Sequence, residues 1–216
     1  MKNKSMHGLL LMLALICGIS QIVSPMQALA DEKDTICLSP EMVQLKDEMV
    51  KAWINHTIWT RSYIVSAISN RPDQKAVLDR LLRNQQDIGN VIKPYYGEEA
   101  GNQLAELLRE HILIAGTIVE AAKADNQEEV KRLDQDWHRN ADAIAKFLSK
   151  ANPHWKFKEM QDMMYTHLKL ITEIVISCLK GEWEADIAAT DKNEIHMIHF
   201  ANILTEGIVK QFPEKF

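Results

Sequence analysis

The sequence contains few of the residues that break or cross-link a chain: 216 residues include eight glycines, six prolines and three cysteines. No segment alternates apolar and polar residues as a half-buried β-strand would, which argues against a sheet. The chain also lacks a glycine-rich phosphate loop, a Cys-x-x-Cys pair and a G-x-S-x-G nucleophile elbow. The usual motifs of nucleotide, thiol-redox and serine-hydrolase chemistry are therefore missing, and the sequence alone names no activity.

A strong charge of one sign is missing as well. Lysine and arginine together number 25 against 30 acidic residues, for a formal net charge of −5. The charges are interspersed, and no basic cluster is available to neutralise phosphates or anionic lipid headgroups. We therefore expect no nucleic-acid partner.

The only long apolar run lies at the N-terminus. Lys2 and Lys4 precede the segment "GLLLMLALICGI", and "ALA" at 28–30 supplies the small residues of a cleavage site. The run is short for a membrane span, which needs about 20 residues, although an uncleaved anchor is the alternative. We predict a signal peptide over residues 1–30, secretion, and one mature domain over residues 31–216 without a stable membrane span.

Two cysteines remain in the predicted mature chain, Cys37 and Cys178. Export would permit a disulfide bond between them. However, Cys37 precedes the first predicted helix and Cys178 lies near the far end of the fifth. In an up-and-down bundle these positions are at opposite ends, well beyond the Cα separation of about 7 Å that a disulfide can span. We therefore predict two thiols.

Helix start and stop signals divide the rest of the chain into six segments. Ser39 and Pro40 begin the first, Pro94 and Gly97 end the second, and Gly181 ends the fifth. Asp125 stands three residues before Glu128, as in a capping box that begins the fourth helix. Short linkers make consecutive helices antiparallel neighbours, so the predicted fold is an all-α, six-helix up-and-down bundle. The predicted helices cover about residues 40–70, 72–94, 98–123, 126–150, 152–180 and 182–211.

A weak internal repeat suggests that the bundle consists of three related helical hairpins. A shift of 56 residues superposes Asn84 on Asn140, Ile88 on Ile144 and His111 on His167, and a second shift places Asn140 on His196. Identities are few, so three-hairpin ancestry is one interpretation of the pattern.

Several polar residues occupy positions where an amphipathic helix normally carries an apolar side chain. Asn140, for example, lies in line with Leu133, Trp137 and Ile144. Each of these polar residues is near the middle of its helix, so they share one level of an up-and-down bundle. Either face of the last helix could point inward, and His196 belongs to the layer if its face does. The predicted layer comprises His56, Asn84, His111, Asn140, His167 and His196.

Such a layer has two interpretations. Buried polar groups need partners, so the six side chains could satisfy one another and fix helix register. Alternatively, the layer could bind a metal ion or a small ligand. No histidine follows a glutamate by three residues, as a di-iron bundle site requires, so zinc or copper held by His56, His111, His167 and His196 is the metal hypothesis.

Other residues near this level leave two further functional readings open. Arg61, together with Asn84 and Asn140, could contact an anionic ligand, although arginines beside an apolar stripe usually reach to solvent. Carboxylates near the layer could also support a hydrolase or transferase, because general acid–base catalysis needs only two well-placed groups. We favour a non-catalytic binding or structural protein, and keep the enzyme as the alternative. The carboxylates concerned are Asp87, Glu110, Asp142, Asp191 and Glu194.

Four segments carry a resemblance to a known group of proteins: "HTIWTRSYIVSAI", "RLLRNQQDIGNVIKPYYG", "NADAIAKFLSKANPHW" and the ending "GIVKQFP". In these the chain resembles a family of small exported helical proteins from Gram-positive, spore-forming bacteria. The resemblance implies export and a helical bundle, but no mechanism, because the family has no established activity. Its members often carry automatic names such as acetylglutamate kinase or glycosyltransferase, which the residues of this sequence do not support.

Overall fold

The computed structural model describes residues 38–216, and this part of the chain is built from helices without a strand. The all-α prediction is therefore confirmed for these residues. The predicted signal peptide over residues 1–30 and Cys37 lie outside the described range. The helices are α1 (Pro40–Ile68), α2 (Gln74–Lys123), α3 (Gln127–Ala151), α4 (Phe157–Lys180), α5 (Trp183–Gln211) and a 3₁₀ turn, η1 (Pro213–Lys215).

The helix count differs from the prediction at α2, so that residues 38–216 form five α-helices rather than six. Helical structure continues through Pro94 and is interrupted only by Gly97, whose backbone angles are φ 85° and ψ 168°. Gln86 Nε2 donates to Asn102 Oδ1 at 3.4 Å, so the arms 74–96 and 98–123 run back along each other. One glycine in the left-handed region of φ thus turns the chain, because it has no Cβ to clash there.

Two helix starts also differ from the prediction. The side chain that caps α3 is Asn126, which accepts from the Glu129 amide at 3.2 Å, and not Asp125. Asp125 has φ 54° and belongs to the turn. α4 starts at Phe157 instead of 152, because Asn152 forms a turn in which its Oδ1 accepts from the His154 amide at 2.8 Å. The predicted start of α1 at Ser39 and Pro40 and the predicted end of α4 at Gly181 are confirmed.

Consecutive helices pack side by side, and α5 packs on α1 as well as on α4, so the bundle closes on itself. The core between them is mainly apolar but also contains buried polar side chains. Cys178 is buried in it without a disulfide partner among residues 38–216. None of the helices in that range is both long and apolar enough to cross a membrane. The largest fully buried side chains include Met49, Ile64, Leu81, Ile88, Leu104, Ile144, Leu148, Trp155, Met160 and Phe200.

Candidate functional site

Five of the six residues of the predicted layer are buried in the core. At most 5% of their surface is exposed, and they come from α1, both arms of α2, α3 and α4. His196 is the exception, since it is only partly buried and its Nε2 lies 2.8 Å from the carbonyl oxygen of Met163. Asn193, one turn earlier in α5, is fully buried in its place. The histidine–amide layer is defined by seven buried residues: His56, Asn84, Gln85, His111, Asn140, His167 and Asn193.

His111 on α2 is held by Asn140 on α3. The Asn140 amide donates to the carbonyl oxygen of Leu107 at 3.2 Å and to Glu110 Oε2 at 3.1 Å. Its Oδ1 therefore faces His111 Nδ1, at 2.7 Å. Because an amide oxygen can only accept, this contact puts the proton of a neutral His111 on Nδ1. Its Nε2 is left as a hydrogen-bond acceptor.

His167 on α4 also faces an amide on the next helix, although Asn193 Nδ2, unlike that of Asn140, donates to no partner within residues 38–216. Its Nδ1 lies 2.8 Å from Asn193 Oδ1 on α5. An Nδ1–H donor again leaves the Nε2 of His167 without a proton. In metalloproteins, an oxygen acceptor on one ring nitrogen is the usual way to orient an imidazole whose other nitrogen binds the metal.

His56 on α1 is set differently. Gln85 Nε2 donates to the carbonyl oxygen of Leu81 at 2.7 Å and lies 3.4 Å from His56 Nδ1. That nitrogen therefore faces a donor. The Asn84 amide itself donates to the carbonyl oxygen of Ala52 at 3.0 Å, which ties α2 to α1.

The three imidazoles lie together in the core. The ring centroids of His56 and His167 are 5.5 Å apart, and those of His111 and His167 are 6.3 Å apart. Burial lowers the pKa of His111 from 6.5 to about 3 and that of His167 to about 4. The pKa of His56 falls well below 6.5, first through burial and then through repulsion from His167 and His111. All three rings are neutral at pH 7, which is the state that binds metals.

Several polar atoms of this region have no hydrogen-bond partner within residues 38–216. Leaving such a group unpaired costs about 1–3 kcal/mol, so these atoms are available to bond to a bound species or to ordered water. However, no three histidine, cysteine, aspartate or glutamate side chains in the described part of the chain already form a set of metal ligands. The unpartnered atoms are Trp53 Nε1, Asn84 Oδ1, Gln85 Oε1, His111 Nε2, Trp137 Nε1 and Asn193 Nδ2.

Arg61, predicted as a contact for an anionic ligand, is occupied by a carboxylate of the protein. Its guanidinium donates to both oxygens of Asp186, with nitrogen–oxygen distances of 2.5 and 3.3 Å. Asp186 is fully buried at the start of α5. The pair ties the last helix to the first, so Arg61 contributes to the structure of the α1–α5 contact.

Sequence reasoning missed two buried amides of the layer, Gln85 and Asn193, and one buried carboxylate, Asp186. Asn193 carried a signal, because it lies 26 residues after His167, much as Asn140 lies 29 residues after His111. Gln85 is the neighbour of Asn84, and the sequence pattern places only Asn84 on the inner face of the helix. Asp186 carried no comparable signal, since one acidic residue in the first turn of a helix is common on surfaces.

Fold and site together define a class: an all-α bundle with a closed ring of helices and a layer of histidines and amides across its core. Comparisons of the chain with known protein families, with curated proteins and with solved structures give no match.

Proposed function

We propose that this chain is an exported, non-catalytic binding protein and that its histidine–amide layer binds a transition-metal ion, zinc or copper, through His111 and His167. The observation that supports this most directly is the orientation of these two rings. Each directs Nδ1 at an amide oxygen, which leaves Nε2 unprotonated, and His111 Nε2 is buried without a partner.

The distances between the rings suggest how an ion would be accommodated. With a metal–nitrogen bond of about 2.0–2.1 Å and tetrahedral angles, the centroids of coordinating imidazoles lie roughly 5 Å apart. The observed separations are 5.5 and 6.3 Å. Binding would therefore draw the rings together by roughly an ångström, which fits the finding that no complete ligand set exists beforehand in residues 38–216.

His56 is the third ring that could join the ion. Its Nδ1 faces the Gln85 amide, so coordination through Nε2 requires the Gln85 side chain to reverse its amide and present oxygen. His196, the fourth predicted ligand, is partly exposed and bound to the carbonyl oxygen of Met163. We therefore do not include His196 in the proposed site, and it serves as the control.

The test is to measure bound zinc and copper after equilibrium dialysis of the purified protein. We expect one ion per chain in the parent protein. The ion should be lost in His111→Ala and in His167→Ala but retained in His196→Ala. Circular dichroism confirms that each variant is folded. A parent protein without metal, whose His111 and His167 variants melt earlier, would instead support a purely structural layer.

The enzyme alternative has less support, because three of the five carboxylates near the layer are engaged and the other two, Asp191 and Glu194, are exposed on α5. Glu110 accepts from Asn140, and Asp142 accepts from Tyr165 at 2.9 Å. Asp87 lies 3.3 Å from Arg80. Groups held in this way are poorly placed to exchange protons with a substrate, so we favour binding over catalysis.

Three-hairpin ancestry is part of the proposal. It is supported by the way histidines and amides recur: an imidazole in one helical segment faces an amide in the next, once in each predicted hairpin. These pairs are His56 with Gln85, His111 with Asn140 and His167 with Asn193.

A further inference from the structure

One end of the bundle contains an apolar cavity of about 190 Å³ beside the histidine–amide layer. It lies where α1, α2 and α4 end and α3 begins, between side chains such as Ile64, Val119, Val130 and Val175. Cavities in well-packed cores are usually smaller than a few water molecules. An engineered cavity of about 150 Å³ lined by apolar side chains remains dry and binds benzene, so this space is large enough for a small organic molecule.

The lining carries two polar side chains without a partner. Thr60 Oγ1 and Trp137 Nε1 are both buried and unbonded, and both residues line the cavity. Only 7% of the Thr60 surface and 3% of the Trp137 surface are exposed. The indole N–H is a donor, and the threonine hydroxyl donates and accepts. One oxygen atom of a ligand could therefore satisfy both groups.

No charged side chain lines the cavity. An ionised ligand would lose its hydration shell on entering the cavity and would find no opposite charge there, which costs a large amount of free energy. The ligand is therefore uncharged.

The rim of the cavity is apolar as well. Ile176 and Leu179 line it and are 44% and 39% exposed, although both stand on the last two turns of α4 where polar residues would be expected. Apolar side chains at the opening lower the cost of passage for an apolar molecule.

We propose that this cavity is a second binding site, for a small uncharged molecule with an apolar body and one hydroxyl or carbonyl oxygen that bonds to Trp137 and Thr60. It does not depend on metal binding at His111 and His167, which do not line the cavity.

Three probes of nearly equal size test the proposal: benzyl alcohol, toluene and benzoate. Binding is followed by NMR through the methyl groups of Ile112 and Ile171, which both line the cavity. We expect saturable shifts with benzyl alcohol, binding of toluene roughly three- to tenfold weaker because a hydrogen bond is lost, and no saturation with benzoate at the same concentrations. Absence of saturable shifts with benzyl alcohol, or equal binding of benzoate, would overturn the proposal.

Variants locate the site and its polar contacts. Ala115→Phe fills the cavity and should abolish binding of benzyl alcohol and toluene, whereas Ala185→Phe, at an exposed position on α5, should leave both unchanged. The double variant Thr60→Val/Trp137→Phe should still bind toluene but lose the preference for benzyl alcohol. Unchanged binding in folded Ala115→Phe protein, or an unchanged preference in the double variant, would contradict the assignment.

His167→Ala separates the two sites, because the His167 ring packs on His56 and His111 and neither of these lines the cavity. Loss of metal with retained benzyl alcohol binding in this variant shows that the cavity binds its ligand without the metal site.

Discussion

At the scale of single residues, the amides decide how the buried histidines behave. Asn140 and Asn193 each present an oxygen to an imidazole Nδ1, at 2.7 and 2.8 Å. The Asn140 amide is oriented by two hydrogen bonds of its own and thereby fixes the tautomer of His111. The surrounding core keeps both rings neutral. Buried neutral histidines resist protonation, whereas the same residues in an unfolded chain take up protons below about pH 6.5.

We therefore expect the protein to lose stability as the pH falls from 7 to 5. The folded state binds protons only near the lowered pKa values, about 3 for His111 and about 4 for His167. Between these values and 6.5 the unfolded state binds more protons, so stability rises with pH across that window. Each of these histidines should cost roughly 2 kcal/mol between pH 7 and pH 5, measured by urea unfolding at both pH values.

The matched variants for this measurement are His111→Gln and His199→Gln. The first removes a buried titrating ring, so the difference in stability between pH 7 and pH 5 should shrink by roughly 2 kcal/mol. His199 is exposed, and its replacement should leave the difference unchanged. If parent and His111→Gln lost the same stability between these pH values, His111 would not be a neutral buried histidine.

The ion pair of Arg61 with buried Asp186 supports a second prediction at this scale. Arg61→Met leaves the buried carboxylate of Asp186 without its positively charged partner, which should destabilise the protein by about 1–3 kcal/mol. In the double variant Arg61→Met/Asp186→Asn much of this loss should return, because the uncompensated charge is removed. Denaturant unfolding of the single and double variants measures the coupling between the two residues.

Arg132 provides the control for that cycle. It pairs with Glu129 at 2.6 Å on an exposed face of α3. Exposed pairs contribute little, because water screens them and long side chains lose entropy. Arg132→Met should therefore leave the free energy of unfolding unchanged. If Arg61→Met also left it unchanged, the Arg61–Asp186 pair would not stabilise the fold.

At the scale of helices, the close approach of the two arms of α2 depends on glycine. A methyl group at Gly89 would collide with the carbonyl oxygen of Gly101 on the opposite arm. Gly89→Ala should therefore push the arms apart and destabilise the protein by roughly 1–3 kcal/mol, even though alanine favours helix formation. Thermal or urea unfolding of this variant tests the contact.

Asn90→Ala is the matched control, because it makes the next residue an alanine on the exposed side of the same arm. We expect its stability to stay within roughly 0.5 kcal/mol of the parent or to rise slightly. Equal stabilities for Gly89→Ala and Asn90→Ala would mean that the arms do not need glycine at their crossing.

The helices show which features a sequence encodes locally. The sequence correctly predicts the start of α1 at Ser39 and Pro40 and the end of α4 at Gly181. Both signals are local, because capping and left-handed backbone depend on a few adjacent residues. Asp125 and Asn126 are both good caps, and the choice between them depends on the turn that precedes α3. The sequence predicts the break near Gly97 and a helix on each side of it, whereas the continuation of helical structure through Pro94 depends on how the two arms pack.

The candidate site divides in the same way. Periodicity placed Asn84, His111, Asn140 and His167 on inner faces, since each interrupts an apolar stripe. It could not decide which face of α5 points inward, because that helix carries apolar residues on more than one face, so it proposed His196 and missed Asn193. The cavity beside Thr60 and Trp137 left no trace in the sequence, since it results from how four segments fail to fill the space between them.

At the scale of the whole molecule, Tyr96 links distant parts of the chain at one end of the bundle. Its hydroxyl accepts from Asn152 Nδ2 at 2.8 Å and donates to Gln211 Oε1 at 2.9 Å. It also packs against Trp155 and Phe212, with ring centroids 5.6 and 5.3 Å away. The turn of α2, the α3–α4 connection and the end of α5 thus meet at one phenol.

Replacing this phenol tests whether the end of the bundle is held by hydrogen bonds or by ring packing alone. Tyr96→Phe keeps the ring but leaves the buried Asn152 amide and the Gln211 side chain without their shared partner. We expect a loss of about 1–3 kcal/mol and faster amide exchange at the end of α5. Tyr95→Phe is the natural control, because Tyr95 stacks on Phe216 at 5.7 Å through its ring. Equal stabilities of the two variants would leave aromatic packing as the force that joins these three segments.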